Sequence, residues 1–186
     1  MVAGIIIGCI VLVIIAFVWG SYNSLVKLDE RVNEAWSDIT VQLKRRADLI
    51  PNLVETVKGY TKHESEAIKQ VSDARAKMMG ARSVSSTAEA DKSMLGALSK
   101  LMAVSESYPE LKADKNFQKL QEELSDTEDK IQAARRFYNA GAKELNTKIK
   151  IFPINLFKGF GFKKREYYDV EESEREKVNK APEVKF

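Results

Sequence analysis

The chain has 186 residues, a length that suits one domain. Its 30 Lys and Arg and 27 Asp and Glu all lie at or after Lys27, so a charge-free apolar start precedes a very polar body. Nine Gly and four Pro are too few for a many-stranded barrel or sandwich, and a net charge of +3 does not suit a dedicated nucleic-acid binder. One His and one Cys exclude a catalytic triad, a zinc cluster and a disulfide framework.

Val2 to Trp19 is an 18-residue run without a charge. As a helix it is about 27 Å long, close to the hydrocarbon thickness of a bilayer. Trp19 and Tyr22 follow as interface anchors, since amphipathic aromatics favour the headgroup level. A cleaved signal peptide is the competing reading, but it expects a basic start that this chain lacks. Cys9 lies inside the apolar run rather than after it, which suits a plain apolar residue better than a lipoprotein site. Gly4 and Gly8 form a G-x-x-x-G pattern, and Ala16 and Gly20 repeat its spacing. Such small residues let two membrane helices approach closely, so this face is a candidate for helix association. Lys27 and Arg31 follow the run, and the positive-inside rule then puts the C-terminal body in the cytoplasm.

From Leu25 the apolar spacing is helical: Leu25, Leu28, Val32, Trp36, Ile39 and Leu43 share one face. Pro51 interrupts, and around it the pattern resumes with Ile50, Leu53, Val54, Val57, Tyr60, Ile68 and Val71. It predicts one long helix to about Met79, kinked or restarted at Pro51, where a backbone donor is missing. Gly80 and the Ser83–Thr87 run mark a turn, and Ser86-Thr87-Ala88-Glu89 has the spacing of a capping box. Met94, Leu95, Leu98, Leu101 and Met102 form the next stripe, to about Ser105, and Ser107-Tyr108-Pro109-Glu110 is a turn. Phe117, Leu120, Leu124, Thr127, Ile131, Ala134, Tyr138, Gly141 and Leu145 make an unbroken heptad seam that ends before Pro153. Its small members leave room for large residues opposite. Long amphipathic helices with short connections fold back antiparallel. The fold class is therefore all-α: a single N-terminal transmembrane helix followed by an antiparallel bundle of long helices.

Phe152 to Arg165 holds four Phe, two Gly and four basic residues in 14 positions. Two readings stand. Phe157, Phe160 and Phe162 cap an open bundle end, which is the favoured reading. Alternatively they meet lipid, with Lys158, Lys163, Lys164 and Arg165 on acidic headgroups. After Tyr168 the tail has ten charges in 18 residues and little to bury, which predicts disorder. The expected divisions are residues 1–21 as anchor, 22–152 as bundle, 153–168 as the aromatic-basic segment and 169–186 as the tail.

No chemistry is evident. His63 has no second His at metal spacing, and Glu64, Glu66 and Asp73 read as ordinary surface carboxylates. Lys44-Arg45-Arg46 would meet phosphate or lipid headgroups, or pair with acidic residues on a neighbouring helix. No phosphate loop, nucleophile elbow or RNA-binding signature is present. The expectation is no enzyme activity, no cofactor, no metal and no nucleic-acid partner.

Several stretches resemble the LemA family of bacterial membrane proteins. They are Tyr22-Asn23-Ser24-Leu25-Val26, Ala35 to Glu64, Tyr108-Pro109-Glu110-Leu111-Lys112-Ala113, Glu122 to Asn139, and Phe152-Pro153-Ile154-Asn155 with Gly161-Phe162. Where the family often has a second Tyr-Asn pair, this chain has Leu145-Asn146. The resemblance implies a single-pass anchor, an antiparallel helical bundle and no established enzyme activity. It also implies kinship with proteins implicated in bacterial membrane shaping and organelle biogenesis. The leading functional expectation is a membrane-anchored scaffold that self-associates and organises or remodels the bilayer. Its partners are membrane lipid and further copies of itself. The alternative is a membrane-tethered adaptor that presents the bundle to a partner protein.

Overall fold

Five helices follow in chain order: α1 (Val2–Tyr60), α2 (Ser65–Gly80), α3 (Val84–Ser105), α4 (Pro109–Ala113) and α5 (Lys115–Lys148). The computed structural model describes residues 2–61, 64–155 and 161–168, and no strand occurs among them. The tail expected to be disordered, 169–186, lies outside the described residues. The all-α expectation holds.

Two details of the expected helices need correction. The first helix neither restarts at Pro51 nor continues to Met79. It runs unbroken through Pro51 and ends at Tyr60, just after Gly59. There both the N–H and the hydroxyl of Thr61 turn back to the Val57 carbonyl, each at 3.0 Å. Pro51 is tolerated because another group replaces its missing donor. A proline at 51 leaves the Ala47 carbonyl without its N–H partner four residues on. Arg75 of α2 supplies that donor, its Nε lying 2.8 Å from the Ala47 oxygen.

The second correction concerns the capping box. It lies three residues earlier than expected, at Ser83 and Ser86, not Ser86 and Glu89. The Ser86 N–H donates to Ser83 Oγ at 3.1 Å, and the Ser83 N–H donates to Ser86 Oγ at 3.0 Å. A serine at the third helical position serves the reciprocal role usually given to Glu or Gln. Downstream, Pro109 opens α4, where a missing N–H costs nothing. Asp114 caps α5 by accepting the Phe117 N–H at 2.9 Å.

The chain divides into two compact units, residues 1–38 with 134–165 and residues 39–133 with 166–186. In the first, the early part of α1 lies antiparallel to the late part of α5. Leu25, Leu28, Val32 and Ala35 are buried on α1, and Ala134, Tyr138, Ala142 and Leu145 on α5. Trp36 and Tyr138 meet with ring centroids 5.6 Å apart. Gly141 permits a close approach, because a Cβ there would stand 3.1 Å from Val32 Cγ2. The small member of the seam does face a larger residue.

In the second unit α2 and α3 pack as a hairpin beside α1 and α5. Ile39, Leu43, Ile50, Leu53 and Val57 of α1 are buried. So are Val71 of α2, Met94 and Leu101 of α3, Leu111 of α4, and Phe117, Leu124 and Ile131 of α5. Each such side chain contributes about 1.5–3 kcal/mol on leaving water. Seven of the nine seam residues are buried, Leu120 and Gly141 being half-buried.

Candidate functional site: an apolar helix and its polar collar

The first turns of α1 are covered by nothing among the described residues. Of residues 2–19 only Val18 is even half-buried. Trp19 is 69% exposed and Tyr22 42%. A Cβ added at Gly4 or Gly8 would meet nothing within 4 Å, so that face is open. Cys9 is a free, exposed thiol on the same stretch. This is the one helix among those described that is long and apolar enough to cross a membrane. It passes into the α1–α5 pair with no linker, since α1 is continuous to Tyr60.

Around the exit of that stretch the first unit gathers aromatic and basic residues. Phe162 packs edge-on against Tyr22, with centroids 5.8 Å apart and planes at 63°. Arg165 is drawn inward: its guanidinium donates to Asp29 at 2.8 Å and to Asn33 at 2.9 Å. Its backbone is held from the other side. The Arg165 N–H donates to Asn146 Oδ1 at 2.8 Å, and Asn146 Nδ2 donates to the Arg165 carbonyl at 2.9 Å. Lys163 and Lys164 are exposed. Phe157, Lys158 and Phe160 lie outside the described residues, as does His63. Sequence reasoning missed two neighbours, Ile151 and Phe152, which are 53% and 74% exposed. Part of a signal was available: Phe152 keeps the seam's seven-residue step from Leu145 but lies beyond the end of α5, and Ile151 falls outside that step.

In the second unit, the basic triple resolves into three different fates. Lys44 is exposed. Arg45 lies 3.4 Å from Asp126, with both side chains nearly half in water. Arg46 is buried, donating to Asp91 at 2.8 Å and also to Glu128. Asp91 in turn accepts the Tyr168 hydroxyl at 2.7 Å. Burial lowers the Arg46 pKa from its ordinary value, and the Glu128 charge and hydrogen bond oppose that shift. The arginine is thus enclosed with its own acids, and no free anion site results. Sequence reasoning missed Asp91 as a core residue. Yet Thr87, Asp91, Met94, Leu98 and Leu101 step by helical spacing along one buried stripe of α3.

Other polar contacts of this unit join one element to another or lie within a single helix. Glu64 accepts the Tyr108 hydroxyl at 3.3 Å, and Asp114 accepts that of Tyr60 at 3.0 Å. Glu66 binds Gln70 within α2, and Asp73 is exposed. Among the described residues no group of three or more His, Cys, Asp or Glu stands together as a metal site.

Comparison with known proteins identifies the family. The LemA family profile matches residues 35–186. A magnetosome protein of Paramagnetospirillum magneticum, MamQ 1, is 28% identical over an alignment covering 79% of this chain and 64% of that protein. MamQ of Magnetospirillum gryphiswaldense gives the same identity and coverage. Protein LemA of Metamycoplasma hominis is 30% identical over 73% of this chain and 63% of its own length. The chain spans a little under two thirds of the length of the curated relatives it matches. On the profile match, which covers most of its length, the chain belongs to the LemA family.

Proposed function

We propose that this protein is a single-pass, non-enzymatic membrane scaffold whose copies self-associate and organise or remodel the bilayer. The observation that carries the reading is the uncovered apolar start of α1 and its unbroken passage into the helix pair. A helix without a linker fixes the angle between span and helix pair. Many copies with a fixed angle impose one geometry on a membrane, which a flexible tether would not do. The open Gly4–Gly8 face gives the spans a close-packing surface. Relatives named as magnetosome proteins support a role at an organised membrane. Lys27 and Arg31, on the flank that follows the span, support a body on the cytoplasmic side by the positive-inside rule.

The adaptor reading has one observation of its own. Phe137 of α5 is 72% exposed in a charged surface, where an aromatic suits a partner protein. The test is to image full-length protein in detergent and in vesicles. Large rings, cages or arrays are expected, and small uniform particles that leave vesicles unchanged would favour the adaptor. Full-length protein should also stay with membranes through high salt and carbonate, because salt screens charge but does not reverse apolar burial. Release by salt alone would refute the span.

A further inference from the structure

We propose that the membrane-proximal end of the α1–α5 pair is a second, peripheral contact with the bilayer. In it Ile151 and Phe152 enter the headgroup layer and Lys150, Lys163 and Lys164 bind anionic lipid. The inference rests on the spanning helix proposed above and adds the lipid class that the body selects.

The register of the helix pair sets the level of these residues. Gly141 stands against Val32, and the Tyr138 ring against that of Trp36. In an antiparallel pair each step along α5 matches a step back along α1. Seven residues on from Gly141, Lys148 is therefore level with Leu25, and its Nζ does lie 3.3 Å from the Ser24 hydroxyl. Three residues further, Ile151 is level with Tyr22. The turn is still closed there, since the Ile151 N–H donates to the Thr147 carbonyl at 3.2 Å. Tyr22 is one turn beyond Trp19, about 4.5 Å along the axis. That depth belongs to the headgroup layer, which adds about 5–7 Å on each side of the hydrocarbon core.

A second strand of chain reaches the same level independently. Phe162 packs on Tyr22, and Arg165 ties the segment to Asp29 and Asn33. Lys163 and Lys164, held between the anchor at Tyr22 and the anchor at Asp29, are exposed. Lys150 is exposed next to Ile151. Two uncovered apolar side chains and Lys150 at the level of Tyr22, with two uncovered lysines on the segment that leads away from it, suit an anionic bilayer surface: the apolar groups enter the acyl boundary and the cations, on long side chains, reach phosphate. Arg165, read from sequence as part of such a surface, instead supports it from within.

The test uses full-length protein with Cys9→Ala, reconstituted in vesicles and carrying one spin label at a time. Labels go at Ile10→Cys, Glu34→Cys and Phe152→Cys, with Ile151→Cys as a repeat of the last. Collision with oxygen and with a water-soluble nickel chelate reads depth. In vesicles containing phosphatidylglycerol, the label at 10 should lie at acyl depth, that at 34 in water, and that at 152 at the boundary, with loss of nickel collisions. In pure phosphatidylcholine, in about 1 M salt where the screening length falls to about 3 Å, or with Lys150→Gln, Lys163→Gln and Lys164→Gln together, the label at 152 should move back toward water. Nickel access at 152 equal to that at 34 in the anionic vesicles would overturn the proposal. Equal protection in both lipids would also overturn it, and spin–spin broadening would then identify a second copy as the cover. A label at 10 in water would overturn the span itself, so the two failures are separable.

Discussion

Arg75 Nε donates at 2.8 Å to the carbonyl oxygen of Ala47, the acceptor that Pro51 leaves unserved within α1. A side chain from α2 thus completes the backbone of α1. Arg75→Met should cost about 1–3 kcal/mol, the range for depriving a buried polar group of its partner. Pro51→Ala restores an N–H to the helix, so the double variant should lose less than Arg75→Met alone. Thermal unfolding of the four proteins in detergent checks this. Strict additivity would mean that Arg75 acts elsewhere.

The Arg46 cluster makes a larger demand. Its guanidinium is 1% exposed, and Asp91 is wholly buried. Removing one partner of a buried ion pair strands the other charge, at a cost of about 3–5 kcal/mol. Arg46→Met should fall in that range. Arg46→Met with Asp91→Leu should recover part of the loss, because two apolar groups leave less charge uncompensated. Tyr168→Phe should cost about 1.5–3 kcal/mol, the value of a hydrogen bond to a charged group. Chemical denaturation of each variant decides; a double variant no better than the single would show that Glu128 alone sets the requirement.

Much of the fold was legible because it rests on periodicity. The seam from Phe117 to Leu145 is readable at a fixed step, and a fixed step is what a long helix needs to keep one face buried. The close approach at Gly141 followed from the same pattern. What escaped was set by tertiary partners. Nothing near Pro51 announces that Arg75, 24 residues on, supplies the missing donor. The end of α1 at Tyr60 was hidden because the apolar phase carries on into Ile68 and Val71. At the membrane-proximal end, Arg165 looked like its basic neighbours, and its partners Asp29, Asn33 and Asn146 distinguish it. Ile151 and Phe152 gave a weak signal, since exposure depends on what does not pack on a residue.

The Tyr60–Asp114 hydrogen bond should fail at both ends of the pH scale. The Phe117 N–H, and then the Tyr60 hydroxyl, hold the Asp114 carboxyl below the usual carboxylate range. A lowered native pKa gives stability that is complete above the unfolded value, about 4, and lost as pH falls through the native one. The hydrogen bond to Asp114 raises the Tyr60 phenol. That contribution is complete below about pH 10 and lost as pH rises through the raised native value. Asp114→Asn keeps a capping side chain and should flatten the acid limb of melting temperature against pH. Tyr60→Phe should flatten the alkaline limb and reduce the acid one. Acid limbs that superimpose for wild type and Asp114→Asn would dismiss the carboxylate as a contributor.

The clamp on the segment 161–165 allows structural and surface roles to be ranked in one series. Asn146 is 3% exposed and makes two hydrogen bonds to the Arg165 backbone, so Asn146→Ala should cost about 1–3 kcal/mol. Arg165→Met keeps those backbone bonds and loses only the contacts to Asp29 and Asn33. That ion pair is partly open to water, with side chains 36% and 25% exposed, and should contribute about 1 kcal/mol or less. Lys163→Gln and Lys164→Gln remove exposed charges and should leave the melting temperature nearly unchanged. The expected order of loss is therefore Asn146→Ala, then Arg165→Met, then the two lysine variants. Binding to anionic vesicles should reverse part of that order, with the lysine changes acting there and not on stability. Lysine variants that melt as early as Asn146→Ala would place those side chains in the packing of the pair instead.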